Sequence, residues 1–254
     1  MPTFPDALPL ASVPAGVWRA AALAPPVAPV VASGEALLDA QLPGGGYPVG
    51  ALTEIVQAPG VHCEWRLLAG ALARWGTQVV LLVGAPQRPF GPALAAQGLP
   101  SRRLLWVQAD AATQRLWAAE QALRCAGVDA VLLWLPGGHA DALRRLQMAA
   151  AEHAKLLFVV RGAQAPGGSS PASLRLWAAY ASDGVAADQA VAPLVLRVLK
   201  RRGPPLEHDL HLAGCTGALA RLLALSAQAL VSAGRPALPS LESAHALDCA
   251  ADGT

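Results

Sequence analysis

The sequence predicts an α/β protein: a mainly parallel sheet with helices packed on both faces. Short apolar runs alternate with stretches of helical period, which is the signature of βαβ units. Most of those runs are continuous rather than alternating, as strands buried on both faces must be. The chain is 254 residues long, with 54% apolar and 14% charged residues, so it can build a sizeable core.

Residues 1–33 are rich in Pro and Ala and show no helical or strand period, so they are expected to form a loosely packed arm. The globular part is expected over residues 34–212. Strands are predicted at 51–56 (with Glu54 inside the run), 79–83, 104–107, 130–135, 156–160 and 194–199. A helix is predicted over 67–75. Residues 113–124 place Leu116, Ala119 and Leu123 on one face, and residues 141–155 do the same with Leu143, Leu146 and Ala150. In the second of these, Arg144, Glu152 and Lys155 are left for solvent. Residues 162–171 are a loop by composition. Beyond 212, residues 217–231 offer one more amphipathic helix with Leu219, Leu222, Leu223 and Leu230 on a stripe, followed by a tail without period.

Charge and cysteine usage exclude several function classes. Lys and Arg number 19 against 17 Asp and Glu, a formal net charge of +2. That balance argues against a surface coated for sequence-independent nucleic-acid binding. Cys63, Cys125, Cys215 and Cys249 are scattered, with neither zinc-site nor disulfide spacing. The N-terminus carries no basic leader, and Pro25, Pro26 and Pro29 interrupt the one apolar stretch near it, so a cytoplasmic protein without a membrane segment is expected.

In an open parallel sheet, phosphate is usually held by the first strand–loop–helix turn. A working P-loop needs Gly-x4-Gly-Lys-Ser/Thr, in which backbone N–H groups wrap the phosphates, the lysine meets the β/γ-phosphates and the hydroxyl holds magnesium. Here the turn reads Gln57-Ala58-Pro59-Gly60-Val61-His62-Cys63-Glu64-Trp65-Arg66. It keeps Gly60 and has no lysine, serine or threonine. The only lysines in the chain are Lys155 and Lys200. Glu64 puts negative charge where a triphosphate needs positive charge. The strand expected to end in a magnesium-binding aspartate ends in Trp134 instead, with Asp129 at its start. Both losses predict a chain without nucleotide hydrolysis, cofactor or metal. His62, Cys63 and Glu64 are metal-capable but adjacent, and adjacent loop side chains rarely converge on one ion.

Several motifs, taken in order, carry a resemblance to a known family. The lead-in Ser33-Gly34-Glu35-Ala36-Leu37-Leu38-Asp39 and the run Gly44-Gly45-Gly46-Tyr47-Pro48-Val49-Gly50 resemble the approach to the first core strand of RecA-type proteins. Leu105-Trp106-Val107, Leu116-Trp117-Ala118-Ala119-Glu120-Gln121, Arg144-Arg145-Leu146-Gln147-Met148, Ser173-Leu174-Arg175-Leu176 and Leu199-Lys200-Arg201-Arg202-Gly203 narrow it to a resemblance to the ImuA family of RecA-like proteins associated with translesion DNA synthesis. The resemblance spans residues 33–212. It implies a RecA-like core with a degenerate P-loop (Gly60, Glu64, Arg66) and no enzymatic activity. It also implies a damage-induced accessory role, with ImuB, an error-prone DnaE-type polymerase and RecA as partners. A division inhibitor of the SulA type is the alternative that the same fold remnants allow, and an ATP-dependent recombinase is the enzymatic rival.

Interface candidates follow from charge. Lys200-Arg201-Arg202 is a rare cluster in a weakly charged chain, placed to meet a partner's acidic residues or phosphate. Arg144 and Arg145, with Arg161 and Arg175, are a second candidate basic surface. Leu219, Leu222 and Leu223 mark a candidate partner-binding helix. Residues 163–173 carry no basic side chain, so contact with DNA is expected to be indirect or weak. Trp75, Trp106, Trp117 and Trp134 are expected in the core.

Overall fold

The computed structural model describes residues 29–137, 140–162, 170–181 and 192–214. The chain divides into two units, Met1–Gly214 and Cys215–Thr254. The second unit, with Leu219, Leu222 and Leu223, lies outside the described residues, as does the arm before Pro29.

Strand β1 (Val30–Val31) pairs antiparallel with β2 (Tyr47–Pro48), and the short helix α1 (Ala36–Asp39) lies between them. The expected arm therefore ends before Val30 rather than at residue 33. A two-residue strand is too short to show a period, and close approach is what holds it. A Cβ on Gly46 would lie 2.3 Å from the Val31 carbonyl oxygen, so only glycine lets the two segments meet.

The main sheet follows: β3 (Leu52–Gln57), α2 (Glu64–Arg74), β4 (Val79–Val83), α3 (Gly91–Ala96), β5 (Leu104–Val107), α4 (Ala112–Arg124), β6 (Val128–Trp134), α5 (Ala140–Glu152), β7 (Leu156–Gly162), β8 (Leu174–Tyr180), β9 (Leu194–Lys200) and β10 (Leu210–Leu212). Its strand order is β10-β9-β8-β3-β7-β6-β4-β5. Strands β8, β3, β7, β6, β4 and β5 run parallel, and β9 and β10 add antiparallel. One face packs Leu67, Leu68 and Leu72 of α2 and Leu94 of α3 against Ile55, Phe158, Leu176 and Leu196. The other packs Leu116 and Leu123 of α4 and Leu143 and Leu146 of α5 against Leu52, Val131, Leu133 and Val159. This is the expected α/β architecture, consistent with a RecA-like core.

Three elements escape the apolar-run pattern. Strand β8 alternates: Leu174, Leu176 and Ala178 turn into the core while Arg175 and Trp177 occupy the other face. That period of two is a strand signal of its own. Helix α3 and strand β10 are short, and Pro at the start of α3 marks it only weakly. Trp117 is 66% exposed, against expectation, because it lies one residue past the buried Leu116 on α4 and so rotates off the inward face.

Glu54 lies at the centre of the sheet, fully buried on β3. Arg161 Nη1 on β7 approaches Glu54 Oε1 at 2.8 Å and Arg175 Nε on β8 approaches Oε2 at 3.2 Å. Glu54 lies beside Arg175 in the strand register, so both neighbours of β3 are bridged by one carboxylate. Arg161 and Arg175 are thus sheet-internal pairs and do not join the candidate basic surface with Arg144 and Arg145.

Candidate functional site

The parallel strands end on one edge of the sheet, where ligands bind in this architecture. A cavity of about 740 Å³ opens there. Its walls come from the ends of β3 (Gln57), β4 (Gly84), β5 (Trp106, Gln108), β6 (Trp134) and β7 (Arg161). Gly60 sits on the rim with φ +75°, the left-handed conformation a phosphate loop needs, and a Cβ there would meet nothing within 4 Å.

The electrostatics of this cavity are unlike those of a triphosphate site. Among the described residues, no lysine, serine or threonine lines it. Its two arginines are committed elsewhere. Arg115 crosses Gly84, donating from Nε to the Ala109 carbonyl at 2.6 Å and from Nη1 to the Trp134 carbonyl at 3.0 Å. Arg161 pairs with Glu54 and donates to the Gly137 carbonyl. Arg88 lies over the Trp106 ring, 5.7 Å from its centroid.

Beneath the wall, helix α2 begins three residues earlier than its apolar pattern suggests, at Glu64. Its N-cap Cys63 makes no side-chain cap bond, so the first turn has unsatisfied N–H groups and a partial positive charge. Glu64 is acidic, sits in that first turn and is buried. Gln57 Nε2 donates to Glu64 Oε2 at 2.7 Å. The helix terminus that would face a phosphate therefore carries the protein's own carboxylate, locked to the last residue of β3. Glu64 does not line the cavity; Gln57 does. Burial pushes the neighbouring Cys63 thiol up to about 12, with the Glu64 charge adding to the rise and a Gln57 hydrogen bond opposing it.

Arg66 belongs to a different part of the fold. Its Nη1 approaches Glu35 Oε1 at 2.7 Å and its Nε donates to the Ala213 carbonyl at 3.0 Å, so it ties α2 to the lead-in and to the end of β10. It is a structural clamp, not part of the expected loop site. Asp129 likewise serves the opposite edge of the sheet. Its Oδ2 accepts from the Gln78 N–H at 2.6 Å and lies 3.8 Å from Arg103 Nη2. Among the described residues, no group of three or more His, Cys, Asp or Glu side chains is placed to hold a metal ion.

The interface candidates separate in space. Arg144 pairs with Asp141 at 2.7 Å on the exposed face of α5, and Arg145 is exposed beside it. Lys200 ends β9 and donates to the Ser170 carbonyl at 3.0 Å; Arg201 donates to the Pro204 and Gln41 carbonyls. Among the described residues, neither Lys200, Arg201 nor Arg202 meets a carboxylate. No described helix is long and apolar enough to cross a membrane.

Comparison with known proteins finds similarity over part of the chain. The chain is 33% identical over 130 residues to Protein ImuA of Caulobacter vibrioides strain NA1000/CB15N, and equally so to Protein ImuA of strain ATCC 19089/CB 15. The chain is a distant homologue of Protein ImuA. The alignment covers 48% of this chain and 52% of either ImuA protein, so the match spans about half the length of these curated relatives. No protein-family model matches the chain. The homology to ImuA agrees with the resemblance carried by the ordered motifs of residues 33–212.

Proposed function

We propose that this chain is a non-catalytic accessory protein of the ImuA/ImuB mutagenesis system, acting in damage-induced translesion synthesis. It would bring ImuB and an error-prone DnaE-type polymerase together through protein contacts, with RecA as a further partner and DNA touched weakly or indirectly. The distant homology to ImuA supports the system. The observation that carries the non-catalytic part is the Gln57–Glu64 pair: a buried carboxylate on the helix terminus opposes a triphosphate through like charge. The absence of lysine and hydroxyl side chains from the cavity wall, among the described residues, supports it further.

The test is reconstitution. The full chain, the ImuB encoded in the same genome and the associated DnaE-type polymerase are mixed without nucleotide and resolved by size exclusion. A complex that contains the chain, and that added ATP neither assembles nor dissolves, is the expected result. A chain that co-elutes with neither protein, or only when ATP is present, would overturn the reading.

A further inference from the structure

A second cavity, of about 530 Å³, opens on the opposite edge of the sheet from the first. It lies where β3 and β8 begin and where the antiparallel β9 ends. Carbon dominates its walls, through Val30, Pro43, Pro48, Val49 and Leu174. The uncharged polar side chains on the wall are already satisfied within the fold. Gln147 accepts from the Leu52 N–H at 2.5 Å and donates to the Gly50 carbonyl at 3.1 Å, and the Ser173 hydroxyl donates to the Leu52 carbonyl at 3.2 Å. A guest in this cavity therefore gains from apolar contact and finds little to hydrogen-bond.

Charge enters from one side only. Arg201 and Arg202 line the cavity and Lys200 precedes them. Arg201 spends its bonds on carbonyl oxygens, which leave its charge uncompensated. Arg202 is exposed, with no hydrogen bond or ion pair among the described residues. Positive charge thus stands, unneutralised, at the rim of a carbon-lined hollow.

We infer that this cavity and the Lys200–Arg202 rim form one docking site for a partner's peptide segment that carries an apolar side chain next to carboxylates. The apolar side chain fills the cavity, and the carboxylates meet Arg202 and Arg201, for which guanidinium geometry favours paired oxygens. Charge complementarity selects this occupant. A nucleic-acid strand fits less well: among the described residues no aromatic ring lines the cavity for base stacking, and the cations sit at a single rim rather than along a backbone track. The inference is independent of the ImuA reading, since it rests on cavity and charge alone.

A dodecapeptide phage library panned on the full chain tests it, with a labelled twelve-nucleotide single strand as the second probe. The enriched peptide is then synthesised with a fluorophore and titrated by anisotropy. The expected result is enrichment of sequences with Leu, Ile, Val, Met or Phe beside Asp or Glu. Arg202→Glu should weaken the synthesised peptide by about tenfold or more, added salt should weaken it as well, and Arg144→Glu should leave it unchanged. Ala51→Leu, which narrows the cavity, should also weaken it, with thermal unfolding confirming that each variant is folded. Enrichment of neutral or basic sequences, no enrichment, or indifference to Arg202→Glu would overturn the proposal. So would single-stranded DNA binding that Arg202→Glu abolishes in the absence of any peptide.

Discussion

Gln57 Nε2 donates to Glu64 Oε2 at 2.7 Å, joining the last residue of β3 to the first residue of α2 across the loop where phosphate binds in related architectures. The bond holds a fixed negative charge at the positive end of the helix. Gln57→Ala leaves that carboxylate buried without its donor. A loss of about 1–3 kcal/mol in urea unfolding is expected. Glu64→Lys replaces a favourable charge with a buried cation at the same terminus and should cost more than Gln57→Ala in the same measurement.

Glu54 bridges Arg161 and Arg175 at the centre of the sheet. Glu54→Ala leaves two guanidinium groups facing each other without their anion. Breaking a buried pair in this way costs about 3–5 kcal/mol. The drop should be visible in chemical denaturation and should exceed that of Arg144→Ala, which opens only an exposed pair on α5.

Cys63 is buried and its thiol is pushed up to about 12, whereas Cys125 is exposed. Thiolate is the reactive form, so at pH 8 an alkylating reagent should label Cys125 in the folded chain and reach Cys63 only after unfolding. Peptide mapping by mass spectrometry reads both sites. The sign of the linkage follows from the raised value. Burial of the neutral thiol contributes stability in full below its ordinary value near 9, and that contribution is lost as pH rises towards about 12.

Asp129 stands at the start of β6 and caps the Gln78 N–H at 2.6 Å, on the edge of the sheet away from the larger cavity. Asp129→Ala should lower stability by about 1–3 kcal/mol. Magnesium should shift the melting temperature of neither the parent chain nor this variant, as thermal melts with and without the ion would show. A magnesium-dependent rise that Asp129→Ala removes would contradict this placement.

Much of the fold is legible because burial on both faces writes continuous apolar runs: residues 79–83 and 156–160 announce β4 and β7 directly. Strand order is not legible, since β8 joins the free side of β3 through long-range pairing that leaves no local trace. β8 itself hides because Arg175 and Trp177 interrupt its apolar residues, although their alternation was a readable signal. The absence of a lysine near Gly60 is legible in the sequence itself. The Gln57–Glu64 contact is less so: nothing local says that Gln57 reaches Glu64, because the contact closes only when the loop does. Arginine was the least readable residue. Arg161 and Arg175 look like surface charge in the sequence and Arg66 like part of the loop, and each is held by a carboxylate in the fold.

The central claim, that the cavity above β3 no longer serves a nucleoside triphosphate, is tested most directly by equilibrium titration of the full chain with a fluorescent ATP analogue and magnesium. The structure predicts no saturable binding at micromolar concentrations and no phosphate release. Micromolar binding accompanied by magnesium-dependent turnover would contradict the account.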